Sequence, residues 1–108
     1  MNEKLLMKLL SLATEDIKVD ENDTPFKIGK CYAVRTFTDP SVGRLKEIKG
    51  GFLVLEDGSW IPDWGRFSTA INSGEINEVE KVESLIFIPL NSIADAFEWK
   101  HDLPKVTK

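Results

Sequence analysis

The chain has one cysteine, one histidine and no long hydrophobic run, and each of these scarcities excludes a class of protein. Cys31 has no second cysteine with which to form an intramolecular disulfide, and the first residues lack the pattern of a secretory signal. The longest apolar run, residues 85–90, is far shorter than the roughly 20 residues that cross a bilayer. We therefore expect a soluble, cytoplasmic protein that does not enter a membrane.

The residues that most catalytic and metal sites require are equally scarce. His101 lies in a polar segment and Cys31 begins a strand-like run, so a Cys–His pair would need two distant residues to meet by coincidence. No pairs of cysteine or histidine suggest a zinc site, and the acids of residues 75–83 lack calcium-loop spacing. Gly50-Gly51 joins two strands, unlike a phosphate-binding loop. The sequence predicts a protein that is not an enzyme and has no metal or cofactor.

The net charge of -4 is distributed unevenly. Both flanks of the chain are acidic, whereas residues 26–51 contain only two acids and carry six basic residues: Lys27, Lys30, Arg35, Arg44, Lys46 and Lys49. An acidic protein gains little from general attraction to a phosphate backbone. We therefore expect any anion binding to be local to this basic hairpin.

The first residues predict an amphipathic helix. Leu5, Leu9 and Leu12 recur at spacings of four and three, and the acidic segment that follows ends at Pro25. Burial of a leucine contributes about 1.5 to 3 kcal/mol, so an exposed leucine stripe is unfavourable. The helix either covers a face of its own sheet or contacts another molecule, and both alternatives remain open.

Residues 32–67 have the pattern of an antiparallel meander. Four strand-like runs, at 31–38, 44–48, 52–56 and 59–62, are separated by turn residues at 39–41, 50–51 and 57–58. In the first run Tyr32 and Val34 point to one face and Ala33 and Arg35 to the other. Asp63 is a candidate N-cap for a short helix that stops at Gly74. A last clear strand is predicted at 84–88.

The predicted fold class is α+β: a small, bent antiparallel sheet or SH3-like, partly open barrel of about five strands, with an N-terminal amphipathic helix and one or two short helices. For residues 90–104 we favour one or two helical turns, and the alternative is a turn followed by a final short strand. The predicted organisation is a helix and acidic linker in 1–24, a barrel-like domain in 25–104 and a frayed tail in 105–108.

Three segments carry a family resemblance: VRTFTDPSVGRLKEI, FLVLEDGSWIPDWGRFSTAINSGEINEVE and FEWKHDLP. Across roughly residues 26–104 the chain resembles a family of small proteins of unknown function encoded by bacteriophages and prophages. Gly58 and Trp64 depart from the alanine and threonine expected in such relatives. The resemblance implies a phage or prophage setting and a small intracellular protein, and it favours binding over catalysis.

We predict a non-enzymatic interaction protein that binds a host or phage protein and self-associates. The predicted partner-binding residues are three leucines of the first helix and two tryptophans: Leu5, Leu9, Leu12, Trp60 and Trp64. The tryptophans either close the end of the barrel core or, with Phe67 and Arg66, form a stacking slot.

The alternative function is a module that captures a nucleotide or a short single-stranded nucleic acid between the basic hairpin and the tryptophans. Its predicted ligand-binding residues are Arg35, Arg44, Lys46, Lys49 and Arg66. Arg35 and Arg66 have a structural alternative, since a buried arginine needs a carboxylate partner. The candidates for that partner are Glu47, Glu56, Asp57 and Asp63.

Overall fold

The computed structural model describes residues 24–108, which form an open, six-stranded antiparallel sheet with one α-helix. The elements in chain order are β1 (Cys31–Thr36), β2 (Pro40–Lys49), β3 (Phe52–Asp63), α1 (Phe67–Ser73), β4 (Glu78–Lys81), β5 (Ile86–Pro89), a 3-10 helix (Leu90–Ser92) and β6 (Ile93–Glu98). The predicted N-terminal helix lies outside the described residues. No helix within residues 24–108 has the length and apolar character needed to span a membrane.

Strand β3 organises the sheet. Its 12 residues pair with β2 along one edge, and its other edge pairs with β5 in the first half and with β4 in the second. On the far side of β2, β1 and then β6 complete the order β4-β3-β2-β1-β6. Every pairing is antiparallel.

The predicted turn at Asp57-Gly58 is wrong, because these residues form a bulge inside β3. Arg44 lies opposite Glu56 and Val42 opposite Ser59, so two residues of β3 face the single Gly43 of β2. A Cβ atom on Gly43 would lie 3.2 Å from the Cα atom of Gly58, which shows how closely the strands approach there. Since β2 pairs with β3 on both sides of the bulge, the chain bends without reversing.

Two other boundaries differ from the predictions. Strand β2 begins at Pro40, and the preceding turn is closed by the Asp39 N–H, which donates to Thr36 Oγ1 at 3.0 Å. Asp63 does not cap α1, since its Oδ1 atom accepts a hydrogen bond from the Gly65 N–H at 2.8 Å and α1 starts later, at Phe67. The predicted stop is confirmed: Gly74 has φ 79° at the C-terminus of α1.

The C-terminal part of the domain is mostly extended, so the helical turns predicted for residues 90–104 are limited to Leu90–Ser92. Strand β6 forms instead because its residues pair with the free edge of β1, with Phe97 opposite Ala33 and Ala96 opposite Val34. Residues 105–108, expected to be frayed, run beside β4: Lys108 and Val79 exchange two backbone hydrogen bonds of 2.9 Å. Part of the acidic segment 75–83 forms β4.

Two apolar clusters lie on opposite faces of the sheet. The tyrosine cluster consists of Tyr32, Val34, Leu45, Leu53, Leu55 and Ile88. The tryptophan cluster consists of Ala33, Val42, Ile61, Ala70, Ile76, Val79 and Trp99. The alternation predicted for β1 is confirmed, since Val34 and Ala33 are fully buried in different clusters. We call the corresponding sides of the sheet the tyrosine face and the tryptophan face.

Candidate interaction surfaces

The predicted partner-binding residues do not form one site within the described chain. Leu5, Leu9 and Leu12 lie outside it. Trp60 lies on the tyrosine face, because its strand neighbour Ile61 points to the other side and belongs to the tryptophan cluster. The Trp60 side chain is 37% exposed. Trp64 packs on the opposite face, with ring centroids 6.1 Å from Phe67 and 6.4 Å from Trp99. The two tryptophans therefore lie on different faces and cannot together enclose one base.

Arg35 is engaged by Asp95 of β6, a partner that the sequence did not suggest. Its Nε atom donates to Asp95 Oδ1 at 2.6 Å, and its Nη2 atom donates to Asp95 Oδ2. The guanidinium lies 4.8 Å from the ring centroid of Phe67 and 5.4 Å from that of Phe97. The hydrogen bond from Arg35 lowers the pKa of Asp95, and the same bond raises the pKa of Arg35. This pair joins β1 to β6.

Arg44 is held by Asp57 and Glu56, two carboxylates that were predicted as partners of Arg35 or Arg66. Its Nη1 atom donates to Asp57 Oδ2 at 2.6 Å and lies 3.9 Å from Glu56 Oε1. The bond to Asp57 raises the pKa of Arg44. Arg44 lies opposite Cys31, whereas Arg35 lies four residues further along β1, which is about 13 Å at the usual rise of a strand. Each guanidinium is turned to its own carboxylate, Asp95 for Arg35 and Asp57 for Arg44, so the two do not converge on a common anion site.

The remaining basic candidates are dispersed on the surface. Lys46 is the extra residue of an irregularity in β2, Lys49 ends that strand, and Arg66 immediately precedes α1. All three are exposed, and none makes an ion pair with another residue of the described range. The basic character seen in the sequence therefore does not converge on a single pocket.

His101 and Cys31 both make packing contacts within the fold. The His101 Nε2 atom lies 2.7 Å from the carbonyl oxygen of Ile71, and its ring meets Trp99 edge-on at 5.1 Å between centroids. Cys31 packs beside the tryptophan cluster, where burial raises the pKa of its thiol. In residues 24–108 no three histidine, cysteine or acidic side chains are grouped so that they could hold a metal ion.

The most exposed apolar surface of the sheet was not anticipated from the sequence. Phe87 of β5 is opposite Val54 of β3, and Phe52 lies two residues from Val54, so all three share the tryptophan face. Phe87 is 63% and Phe52 40% exposed, while Val54 beneath them is buried. We call these three residues the aromatic strip. Sequence alternation identified the strands but gave no indication that these two phenylalanines have no covering element within residues 24–108.

Two cavities flank β6. One, of about 390 Å³, is lined by Pro25, Phe26, Lys27, Lys30, Tyr32, Ile93, Ala96 and Glu98. The other, of about 530 Å³, is lined by Ile71, Asn72, Ala96, Phe97, Glu98, Lys100 and His101. Ala96 and Glu98 therefore belong to both.

Comparisons with protein-family models, with curated proteins and with solved structures find no match for this chain. The resemblance to phage and prophage proteins thus stays a prediction. The fold and its exposed surfaces supply the basis for a functional proposal.

Proposed function

We propose that this protein is a non-enzymatic interaction protein that binds a protein partner through the aromatic strip and self-associates through its N-terminal leucines. The observation that carries the proposal is the exposure of Phe52 and Phe87 at diagonal positions on the same face of two paired strands. Adjacent exposed aromatic side chains on a rigid surface are typical of protein interfaces.

The surroundings of the strip support this function. Glu47 lies opposite Val54 and Lys49 opposite Phe52, so charges of both signs border the apolar centre on the β2 side. An apolar centre with a polar rim is the usual arrangement of an interface. Complete burial of a phenylalanine contributes about 1.5 to 3 kcal/mol, so covering both rings supplies several kcal/mol towards association.

A non-enzymatic role is supported by the state of the two residues best suited to nucleophilic chemistry. The raised pKa of Cys31 lowers its thiolate fraction, and thiolate is the reactive form. His101 is occupied by the Ile71 carbonyl group, and among the described residues no hydrogen bond joins it to Cys31. Within residues 24–108 the two residues therefore do not form the Cys–His pair that nucleophilic catalysis would need.

The finer architecture that we propose is an SH3-like, partly open barrel. Its support is that β5, β3, β2, β1 and β6 are successive neighbours around the tyrosine cluster. The 3-10 helix Leu90–Ser92 connects the two outer strands of this series. A phage or prophage origin and a cytoplasmic setting in the host cell belong to the same proposal, and the family resemblance is what supports them.

Nucleotide capture has less support. Arg35 and Arg44 are each paired with carboxylates, and Trp60 and Trp64 lie on opposite faces. A bound phosphate would have to displace Asp95 or Asp57 from its arginine, and no tryptophan stands beside Arg44 to stack the base. Protein binding requires no such rearrangement.

The test compares a substitution in the aromatic strip with a control substitution of another exposed phenylalanine. Phe87→Ser should abolish capture of the partner from host extract, whereas Phe37→Ser should not, because Phe37 is 81% exposed but lies in the turn after β1. Both variants should unfold at similar denaturant concentrations. Equal capture by the two variants would refute the role of the strip.

Self-association is measured separately. The native mass of the full chain should exceed that of one subunit, and replacing Leu5, Leu9 and Leu12 by Gln should reduce it to the monomer. A monomeric parent chain, or an unchanged mass in the leucine variant, would refute this part of the proposal.

A further inference from the structure

The outer edge of β6 is a second surface with hydrogen-bonding capacity. The Trp99 N–H donates to the Cys31 carbonyl oxygen at 2.9 Å, just beyond the paired residues Glu98 and Tyr32. Backbone groups of an antiparallel strand alternate between its two sides. Those of Phe97 therefore point to β1, whereas the N–H and C=O groups of Ala96 and Glu98 point away from it. Within residues 24–108 no strand pairs with this outer edge.

At the opposite end of the sheet, the C-terminal residues cover the edge strand. Strand β4 also lies at an edge, but Lys108 and Val79 exchange backbone hydrogen bonds there, and Thr107 Oγ1 accepts a hydrogen bond from the Lys81 N–H at 3.0 Å. Proteins usually protect edge strands in this way because an open edge pairs with other chains. In the described part of the chain β6 has no such cover.

The two cavities beside β6 match the geometry of an added strand. The smaller contains Phe26 and Tyr32 and so lies on the tyrosine face, whereas the larger contains Phe97 and Ile71 and lies on the tryptophan face. Ala96 and Glu98, whose backbone groups point outward, line both. A peptide paired with β6 projects successive side chains to alternate faces, and therefore into one cavity and then the other.

The charges around the edge favour an acidic peptide. Lys27 and Lys30 line the cavity on the tyrosine face and Lys100 the one on the tryptophan face, against the single carboxylate of Glu98. Lys30 and Glu98 already form an exposed ion pair of 3.3 Å. Lys27 and Lys100 make no ion pair within residues 24–108, so both are available to a partner's carboxylates.

We propose that β6 binds an extended, acidic segment of a partner protein by strand addition, with apolar side chains of that segment entering the two flanking cavities. This inference rests on the proposed function as a protein-binding module, but it uses a different surface from the aromatic strip. The backbone hydrogen bonds provide pairing with the edge, the cavities select apolar side chains at adjacent positions, and the lysines select acidic flanks.

The test uses the full chain labelled with ¹⁵N and the capped heptapeptide Glu-Glu-Val-Ile-Val-Glu-Glu. Binding should shift the amide signals of Ala96 and Glu98. The same peptide methylated at alternate backbone nitrogens should bind roughly tenfold more weakly or worse, because it cannot make the strand hydrogen bonds. The analogue with Lys in place of Glu should lose affinity to a similar extent, and that loss should diminish at high salt.

A variant of the protein gives a second measurement. Ala96→Pro removes an outward N–H and leaves the hydrogen bonds to β1 in place, since proline is tolerated where a strand N–H faces solvent. It should weaken binding of the acidic peptide while the amide spectrum away from β6 is unchanged. If this variant does not fold, the methylated peptide still tests the pairing.

Several results would overturn the inference. These are undetectable binding of the acidic peptide, equal affinity of its methylated form, or signal shifts centred on Phe87 instead of Ala96. Protection of the Ala96 and Glu98 amides from hydrogen exchange without peptide would also overturn it, because the edge would then be occupied by the chain itself or by a second copy. None of these results would alter the effect of Phe87→Ser on partner capture, so the two proposals fail independently.

Discussion

Replacing Gly74 by Ala should destabilise the fold well beyond the cost of its backbone conformation. Gly74 ends α1 with φ 79°, and a Cβ atom there would lie 2.8 Å from Cγ and 2.9 Å from Cβ of His101. The imidazole cannot easily yield, because it is fixed by the Ile71 carbonyl oxygen and by the edge of Trp99. The substitution therefore combines backbone strain with overpacking.

Gly51 provides a matched control. Its φ of 81° is nearly the same, but a Cβ atom there meets nothing within 4 Å. An alanine in this conformation costs about 1 to 2 kcal/mol, part of which is offset by the lower entropy of the unfolded chain. Overpacking adds about 1 to 3 kcal/mol. We expect Gly51→Ala to lose about 1 kcal/mol and Gly74→Ala about 2 to 4 kcal/mol.

Urea unfolding followed by tryptophan fluorescence measures both free energies. With an m-value of about 1 to 3 kcal/mol/M, the midpoints of the two variants should differ by roughly 1 M. Adding His101→Ala to Gly74→Ala should recover part of the loss, with a coupling of about 1 kcal/mol or more. Equal costs for the two glycines, or an absence of coupling to His101, would show that the packing argument is wrong.

Two further predictions concern stability. Ser59→Ala should raise the free energy of unfolding by about 1 kcal/mol in the same assay, because the Ser59 hydroxyl is fully buried without a hydrogen-bond partner among the described residues; a clear loss of stability would contradict this. The Arg35–Asp95 pair should stabilise the fold above about pH 4 by about 0.2 to 1 kcal/mol, since both groups are partly exposed. Because the pKa of Asp95 is lowered in the folded state, this contribution is lost as pH falls through that pKa. Asp95→Asn should therefore flatten the acid limb of stability, and an unchanged limb would argue against the pair.

Much of the sheet could be predicted because its signals are local. The alternation of Tyr32, Ala33 and Val34 placed β1 between two apolar layers, and both layers are present. Gly50-Gly51 marked the reversal between β2 and β3, and both residues have positive φ. Gly74 marked the end of α1. In each case, the preference of a few neighbouring residues is sufficient to determine the conformation.

The candidate surfaces were much less predictable. Trp60 and Trp64 are close in sequence, yet they lie on opposite faces, because β3 ends at Asp63 and Trp64 follows it. Asp57-Gly58 has the composition of a hairpin turn, but pairing on both sides of it converts it to a bulge. For segment 90–104 helical turns were favoured over a turn and a short strand, yet Ile93–Glu98 pairs with the edge of β1 as strand β6.

The amino-acid sequence alone determined the number of regular strands approximately, the two-sided burial of β1 and the scarcity of residues suited to catalysis, because these depend on composition and short-range periodicity. The tertiary structure decided that Arg35 meets Asp95. Within residues 24–108 it also left Phe52 and Phe87 uncovered together and the outer edge of β6 open between two cavities. The physical reason is that exposure and pairing depend on what lies across the sheet. Such neighbours are often distant in the chain, 60 residues apart for Arg35 and Asp95.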